Sequence, residues 1–236
     1  KLSDTQAILL SAAAQRADGN LLPLPGSLRG GAAIKVVTAL LARDLAPYRD
    51  ELIVSTKAGY TMGEGPYQDW GSRKYLRSSL DASLRRLGLD YVDIYYSHRP
   101  DPETPIEETM GALASAVHEG KALYVGISNY SGWQTARAAT WQQGWPGRAP
   151  IASTQVEYSL LQRGVEREVL PACRHFGIGV VPYSPLARGV LTGKYDPNKP
   201  PPADSRAASS TSRSSRHRFN WTTCSKSRAN SALRPK

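Results

Sequence analysis

Apolar and polar positions alternate along the middle of the chain with two different periods. Five short runs rich in β-branched and aromatic residues are predicted to be strands, at 52–56, 92–97, 122–127, 153–157 and 179–183. Four longer segments between them carry apolar residues at helical spacing and are predicted to be helices, at 72–87, 105–119, 131–143 and 164–176. Regular alternation of strands and helices is typical of successive βα units with a parallel sheet.

The first of these helices shows the pattern most clearly. Tyr75, Leu76, Leu80 and Leu84 fall on one stripe, while most of the arginines fall on the opposite side. Gly88 follows the last apolar position and supplies the stop that ends many helices. We therefore expect this segment to bury its leucine stripe against the sheet.

The two flanks of the chain lack this pattern. Residues 19–31 mix Leu, Pro and Gly without strand alternation, so no further βα unit can be drawn there. From Pro200 onward, a proline run leads into a Ser- and Arg-rich stretch that cannot bury a core and is predicted to be disordered. The predicted organisation is a folded domain over 1–198, atypical over 1–48, and a basic tail over 199–236.

Most of the net charge lies in the C-terminal tail of the chain. The sequence carries a net charge of +10, but the residues from Lys199 onward hold nine Lys or Arg and one Asp and so carry +8 of it. The folded part is nearly neutral, which argues against a nucleic-acid partner. Binding of phosphate-bearing partners by the tail alone stays open as an alternative.

Composition sets further expectations. A hydrophobic content of 40% suits a globular domain, and no apolar run approaches the roughly 18 residues of a membrane helix. Cys173 and Cys224 form neither a disulfide framework nor a metal-ligand spacing, so no metal and a reducing cytoplasm are expected. The oligomeric state stays open, with a homo-oligomer as one option.

Lys57 and His98 each close a predicted strand and are each followed by loop-forming residues. The carboxyl ends of parallel strands lie at the same edge of a sheet or barrel, and ligands bind there. A Lys and a His at that edge can carry out acid-base chemistry.

Six blocks, in order, resemble the aldo-keto reductase family. They are STK at 55–57, GSR at 71–73 with LGLDYVD at 87–93, SHR at 97–99, GKALYVGISN at 120–129, QVEY at 155–158 and PYSPLARG at 182–189. The residues of these blocks look most like those of the bacterial glyceraldehyde-3-phosphate reductases and the potassium-channel β-subunit branch. The resemblance implies an α/β fold, the (β/α)8 TIM barrel, of which this chain shows about five clear βα units.

The resemblance also implies a mechanism. Family members pass a hydride from NADPH to a carbonyl, with a Tyr as proton donor, a Lys that favours ionisation of that Tyr, and a nearby His. By resemblance, Lys57 is this Lys and His98 is this His. A phenol with a pKa of about 10 is a poor acid at neutral pH, so a nearby cation helps it to lose its proton.

The implied cofactor residues fall in the later blocks. Ser128, Asn129 and Gln155 resemble the residues that hold the nicotinamide carboxamide, and Tyr183 resembles the aromatic residue that stacks on the ring. The loop that wraps the pyrophosphate is expected at Ser184, Pro185, Leu186, Ala187, Gly189 and Lys194.

Two family features are missing from the sequence. The proton-donating Tyr should precede Glu51 in an Asn-Tyr-Gly loop, but the stretch 19–37 contains no Tyr. A Gly-Ala-Ser-Arg type motif should follow Tyr195, and the Ser/Arg tail has none. We hypothesise that both flanks arise from shifted reading frames or from a damaged gene copy, which translation of the coding DNA in all three frames would test.

The expected function is NADPH-dependent reduction of a small aldehyde, such as glyceraldehyde 3-phosphate, with activity reduced by the missing Tyr. The alternatives are an NADPH-binding regulatory protein like the channel β-subunits and a non-functional fragment.

Overall fold

The computed structural model describes residues 46–196 and residue 200. Five strands and four α-helices alternate along this part of the chain. They are β1 (Ser55–Ala58), α1 (Arg73–Leu87), β2 (Val92–Ser97), α2 (Ile106–His118), β3 (Ala122–Ser128), α3 (Gly132–Gln143), β4 (Ile151–Glu157), α4 (Val169–Phe176) and β5 (Gly179–Tyr183). Short 3-10 helices occupy Ala46–Glu51, Gly164–Glu166 and Ala187–Thr192. The predicted features of segments 1–45 and 201–236 lie outside the described residues.

All five strands form one sheet in sequence order, and every neighbouring pair is parallel. One row of paired residues crosses all five strands, namely Lys57, Tyr96, Gly126, Ser153 and Gly179. This row is called the lysine row below. The register between β3 and β4 shifts by one residue just before Gly126. The predicted α/β class with successive parallel βα units is therefore confirmed.

One face of the sheet packs against the helices and forms the core. Tyr95 and Val125 on the strands and Leu76, Leu80 and Leu113 on the helices are all at most 2% exposed. Tyr95 also donates a hydrogen bond from its phenol to the Leu76 carbonyl at 2.7 Å, which satisfies its one buried polar group. The leucine stripe predicted for α1 is buried as expected.

The helices begin and end where local chemistry requires it. Ser72 caps α1 by accepting a hydrogen bond from the Tyr75 amide at 3.3 Å, and Gly88 ends the helix at φ 67°. Ser131 and Gln134 form a reciprocal capping box at the start of α3. These caps satisfy backbone groups that would otherwise lack partners.

Two predicted boundaries were wrong by three residues or more. The predicted strand 52–56 lies at Ser55–Ala58, because the Val54 amide donates to the Asp93 carboxylate at 2.7 Å instead of to a strand carbonyl. The predicted helix 164–176 divides into a 3-10 turn and α4. Pro171 explains the division, since its ring would clash with the carbonyl of Arg167 in a continuous helix.

Candidate active site

Lys57 and His98 lie on adjacent strand ends. Lys57 is in β1, and His98 directly follows the last residue of β2. The His98 amide donates to the Ala58 carbonyl at 2.8 Å, which joins the two strand ends where the loops begin. The two side chains are close enough for the charge of Lys57 to act on the imidazole. The structure therefore brings the predicted pair together.

Lys57 is a half-buried amine. Its ammonium lies 5.4 Å from the centre of the Tyr96 ring and has no hydrogen bond or ion pair within the described residues. Burial lowers the pKa of Lys57 below its ordinary value, because water that would stabilise the charged form is excluded. A cation held in this way is well suited to favour ionisation of a neighbouring group.

His98 is surrounded by groups that oppose its protonation. Its ring meets Tyr60 edge to face at a centroid distance of 4.4 Å. Burial lowers the pKa of His98, and the positive charges of Lys57 and Arg99 lower it further. At neutral pH the imidazole is therefore uncharged and can donate one hydrogen bond, for example to a carbonyl oxygen.

The lysine row is closely packed beneath these side chains. The phenol of Tyr96 makes a buried hydrogen bond of 2.6 Å with the Ser153 hydroxyl, so its ring passes directly over Gly126. A Cβ at Gly126 would lie 2.3 Å from Cε1 of Tyr96. Gly126 is thus required by close approach, and the ring it admits forms the surface over which Lys57 lies.

Asn129 connects the neighbouring strand ends. Its side-chain amide donates to the His98 carbonyl at 3.2 Å and to the Ser128 hydroxyl at 3.0 Å, and its oxygen accepts from the Tyr183 phenol at 2.9 Å. Its backbone amide donates to the Gln155 carbonyl at 3.0 Å, at a left-handed φ of 61°. The structure thus brings together all four predicted nicotinamide residues.

Gln155 differs from the other three members of this cluster. Its half-buried side-chain amide has no hydrogen-bond partner within the part of the chain that is described. A carboxamide needs both a donor and an acceptor, and the Gln155 amide offers both. Asn129, in contrast, already uses its amide and its oxygen within the protein.

The loop after β5 has an unusual backbone. Ser184, Ala187 and Arg188 adopt left-handed conformations with φ between 49° and 57°, and Gly189 has φ 94°. The Lys194 side chain lies across Gly189, where a Cβ would be 2.6 Å from Cε of Lys194. Of the other predicted loop residues, Pro185 and Leu186 are exposed, whereas Ala187 is buried and can offer a ligand only its backbone.

Sequence reasoning missed three residues around His98 and Lys57. Tyr96 carries the surface under Lys57, while Tyr60 and Arg99 lie beside His98. Each flanks a predicted site residue closely in sequence, and this proximity was the only signal available. Their contacts join different strands or loops, which no local pattern reveals.

The polar face of the sheet fits a nicotinamide cofactor by its donor set. It combines the Gln155 carboxamide, which has no partner among residues 46–196 and 200, a half-buried aromatic ring at Tyr183 and a following loop with the cation of Lys194. An aromatic ring can stack on nicotinamide, and a cation beside glycine-rich backbone suits a pyrophosphate. The individual roles of these residues stay predictions.

Residues 46–196 and 200 contain no group of three or more His, Cys, Asp or Glu that could hold a metal ion. Their helices are all too short or too polar to cross a membrane.

Three known proteins illustrate the similarity of this chain to others. L-glyceraldehyde 3-phosphate reductase of Escherichia coli (strain K12) is 52% identical over 177 residues, which cover 75% of this chain and 49% of that protein. A probable voltage-gated potassium channel subunit beta of Oryza sativa subsp. japonica is 44% identical over 167 residues, covering 70% and 50%. A probable aldo-keto reductase 1 of Glycine max is 42% identical over 147 residues, covering 62% and 40%. The chain thus spans about half the length of these relatives or less.

The family assignment rests on a broader match than any single relative gives. The family model described as the Aldo/keto reductase family matches residues 29–234, most of the chain. The chain belongs to the aldo/keto reductase family of oxidoreductases, whose fold is the (β/α)8 barrel that its five parallel strands represent in part.

Proposed function

We propose that this protein binds NADPH on the polar face of its sheet and reduces a small aldehyde to an alcohol, at a low rate. The observation that carries the proposal is the grouping of Lys57, His98, Asn129 and Gln155 on one face at the carboxyl ends of adjacent strands. When bound, the reduced nicotinamide supplies a hydride. The protein supplies the pocket, the orientation of the carbonyl and the control of protons.

His98 and Lys57 have complementary tasks in this proposal. Neutral His98 donates a hydrogen bond to the substrate carbonyl oxygen, which orients the carbonyl and makes its carbon more electrophilic. The Lys57 ammonium favours negative charge that develops on the same oxygen or on a proton donor beside it. Both side chains are half-buried, so water weakens their interaction with the substrate only in part.

The low rate follows from the phenols near the site. The Tyr96 phenol is hydrogen-bonded to the Ser153 hydroxyl, and the Tyr183 phenol donates a hydrogen bond to Oδ1 of Asn129. These two phenols are therefore engaged within the protein, and Tyr60, whose ring contacts His98, follows β1 instead of lying in the Asn-Tyr-Gly loop that carries the family's proton donor. Proton donation is then left to water, and loss of a general acid typically costs about 10²- to 10⁴-fold in rate.

The proposed substrate is L-glyceraldehyde 3-phosphate or a related small aldehyde. The L-glyceraldehyde 3-phosphate reductase of Escherichia coli is 52% identical over the matched 177 residues, which supports this choice. We further propose a cytoplasmic location, in keeping with the free, buried Cys173.

A second candidate is an NADPH-binding protein with a regulatory role and little or no turnover. It is favoured by the 44% identity to a probable channel β-subunit, together with the engaged phenols near the site. It shares the cofactor site with the first candidate but needs no proton donor.

The experiment that separates them follows NADPH consumption and NADPH binding in the same preparation. We expect saturable NADPH oxidation with L-glyceraldehyde 3-phosphate, and a lower kcat/KM with unphosphorylated glyceraldehyde. Binding without oxidation of either substrate would favour the regulatory candidate. Absence of both binding and oxidation would contradict the two candidates together.

A further inference from the structure

Arg99 lies next to His98 in a setting unlike that of an ordinary surface arginine. Its Nε donates to the Gly59 carbonyl at 2.6 Å, and its Nη2 donates to Oδ1 of Asp69 at 2.8 Å. The guanidinium also lies 4.4 Å from the centre of the Tyr60 ring and 3.7 Å from that of Trp70. Arg99 thus contacts both ends of the β1–α1 loop, residues 59–71.

These contacts leave little of the guanidinium for a ligand. Two aromatic rings approach it, two of its donors are used, and Asp69 neutralises its charge; both side chains of the ion pair are 24% exposed. A phosphate would have to displace Asp69 and part of this packing. Arg99 is therefore poorly suited to bind an anionic substrate directly.

Other bonds hold the same loop in place. Asp69 accepts from the Thr61 hydroxyl and from the Trp70 amide, and the Tyr75 phenol donates to the Tyr60 carbonyl at 2.7 Å. Trp70 has a φ of 67°, which is costly for a bulky residue and persists only where its surroundings fix it. The stacking of Arg99 on the Trp70 ring is one of the contacts that fix it.

The β1–α1 loop contacts His98 through two of its residues. Tyr60 meets the imidazole edge to face at 4.4 Å, with Arg99 over the Tyr60 ring. Gly59 backs onto the same residue, since a Cβ at Gly59 would lie 3.4 Å from Cβ of His98. The imidazole is therefore packed against a ring that Arg99 holds.

We propose that Arg99 is a positioning residue that acts through Tyr60 to hold the His98 imidazole in its working orientation. Arg99 fixes the β1–α1 loop, the loop presents Tyr60, and Tyr60 limits the rotation of the imidazole. The charged and titratable groups around His98 are Lys57, Arg99 and Tyr60, with Asp69 behind Arg99. The importance of this orientation for turnover rests on the proposed reductase function, but the positioning itself does not.

The test compares two arginines in similar chemical settings. Arg99→Lys keeps the positive charge but removes the planar donors that contact Gly59 and Asp69 together. Arg148→Lys is the matched control, because Arg148 stacks 3.4 Å from the centre of the Trp141 ring and donates to the Trp141 carbonyl. Arg148 lies before β4, at the amino end of the strand rather than at the carboxyl end where His98 lies.

The primary readout is the NMR signal of the His98 imidazole, assigned by its loss in His98→Gln. The Tyr60 ring shields protons near its face and deshields those at its edge, so the His98 signals are displaced from those of exposed His118. We expect Arg99→Lys to move the His98 signals toward the His118 position and Arg148→Lys to leave them in place. Unchanged His98 signals in Arg99→Lys, or equal movement in both variants, would overturn the proposal.

Tyr60 variants test the same route without changing Arg99. Tyr60→Phe keeps the ring and should preserve the His98 signals, whereas Tyr60→Leu should reproduce the Arg99→Lys result. If Arg99→Lys does not fold, Asp69→Asn takes its place, since it weakens the hold on Arg99 and leaves the guanidinium present. Identical His98 signals in Tyr60→Phe and Tyr60→Leu would also overturn the proposal.

Kinetics provide the second readout. We expect kcat/KM for the aldehyde to fall about 10²-fold in Arg99→Lys, the size of effect that misplacement by roughly 1 Å produces, with the Kd of NADPH unchanged. Displaced His98 signals in a protein that never turns over would support the positioning role and reject the reductase function. Normal aldehyde turnover in Arg99→Lys with unmoved His98 signals would support the reductase function and reject the positioning role.

Discussion

The two faces of the sheet differ in what they need from the same strands. The face toward the helices carries residues such as Val125 and Ile127, both 0% exposed, whose only task is to fill space. The opposite face carries the lysine row together with Ser128 and Gln155, where polar groups are half-buried or buried and contact one another. Because side chains alternate along a strand, neighbouring residues lie on opposite faces and have different roles.

Mutations on the two faces should therefore have different effects, on stability at one face and on binding and catalysis at the other. On the helix face, contact area and volume determine the free energy of unfolding. On the polar face, charge, hydrogen bonding and close approach determine what the site can bind. Substitutions on each face should therefore change one of these two properties and spare the other.

Lys57→Met should have the largest effect on activity. We expect kcat/KM for the aldehyde to fall about 10²- to 10⁴-fold, because the cation that favours charge on the reacting oxygen is removed. The free energy of unfolding should stay the same or rise, since the half-buried ammonium is disfavoured by burial. Steady-state kinetics and urea unfolding measure the two quantities. A loss of stability comparable to the loss of activity would erase the distinction between the faces.

Leu113→Ala tests the helix face. Leu113 in α2 is 0% exposed, so truncation should lower the free energy of unfolding by about 2–5 kcal/mol. The Kd of NADPH for the folded protein should not change. Leu123→Ala is the control, because Leu123 is 48% exposed and its truncation should be almost neutral. Equal destabilisation by the two truncations would be evidence against the core as described.

Gly126→Ala tests the close packing of the lysine row. The new methyl would lie 2.3 Å from the Tyr96 ring and 3.0 Å from the Ser153 carbonyl, which should cost about 1–3 kcal/mol of stability. Adding Tyr96→Leu should recover part of this loss by making space. Gly164→Ala is a suitable control, since its nearest contact would be 3.8 Å away. An unaltered urea midpoint in Gly126→Ala would show that the ring does not lie over the glycine.

His98→Gln tests the pH dependence of the polar face. In the folded state the pKa of His98 lies below its ordinary value of 6.5, so below pH 6.5 the unfolded chain binds more protons than the folded one. The stability of the wild type should therefore decline as the pH drops below 6.5, and His98→Gln should decline less. Urea unfolding at several pH values, with the exposed His118→Gln as control, measures the difference. Parallel pH profiles for the wild type and His98→Gln would contradict the lowered pKa.

Sequence patterns predicted which residues face the core better than they predicted where each strand or helix begins. The leucines of α1 were identified because helical periodicity depends on neighbours three and four residues apart. The run 52–54 looked like a strand because it is apolar, yet Ile53 is 78% exposed and the ladder starts at Ser55. The decisive interaction is the Val54 amide with Asp93, a residue distant in sequence that no local pattern identifies.

The candidate site could be predicted only in part for a similar reason. Lys57 and His98 were placed from the rule that parallel strand ends meet at one edge, and the nicotinamide residues were placed from family resemblance. The contacts among Tyr60, Arg99 and Asp69 depend on how a loop of thirteen residues, 59–71, folds back on itself. Such contacts are set by three-dimensional packing rather than by spacing along the chain.

The central claim is that the polar face of the sheet binds a nicotinamide cofactor. The most direct test is the unfolding midpoint of the purified chain with and without NADPH, for the wild type, Gln155→Leu and Leu123→Ala. A ligand that binds only the folded state stabilises it by about 2.7 kcal/mol at a hundredfold excess over its Kd. We predict a clear upward shift for the wild type and Leu123→Ala and a smaller shift for Gln155→Leu. No shift in the wild type, or equal shifts in all three, would contradict the account.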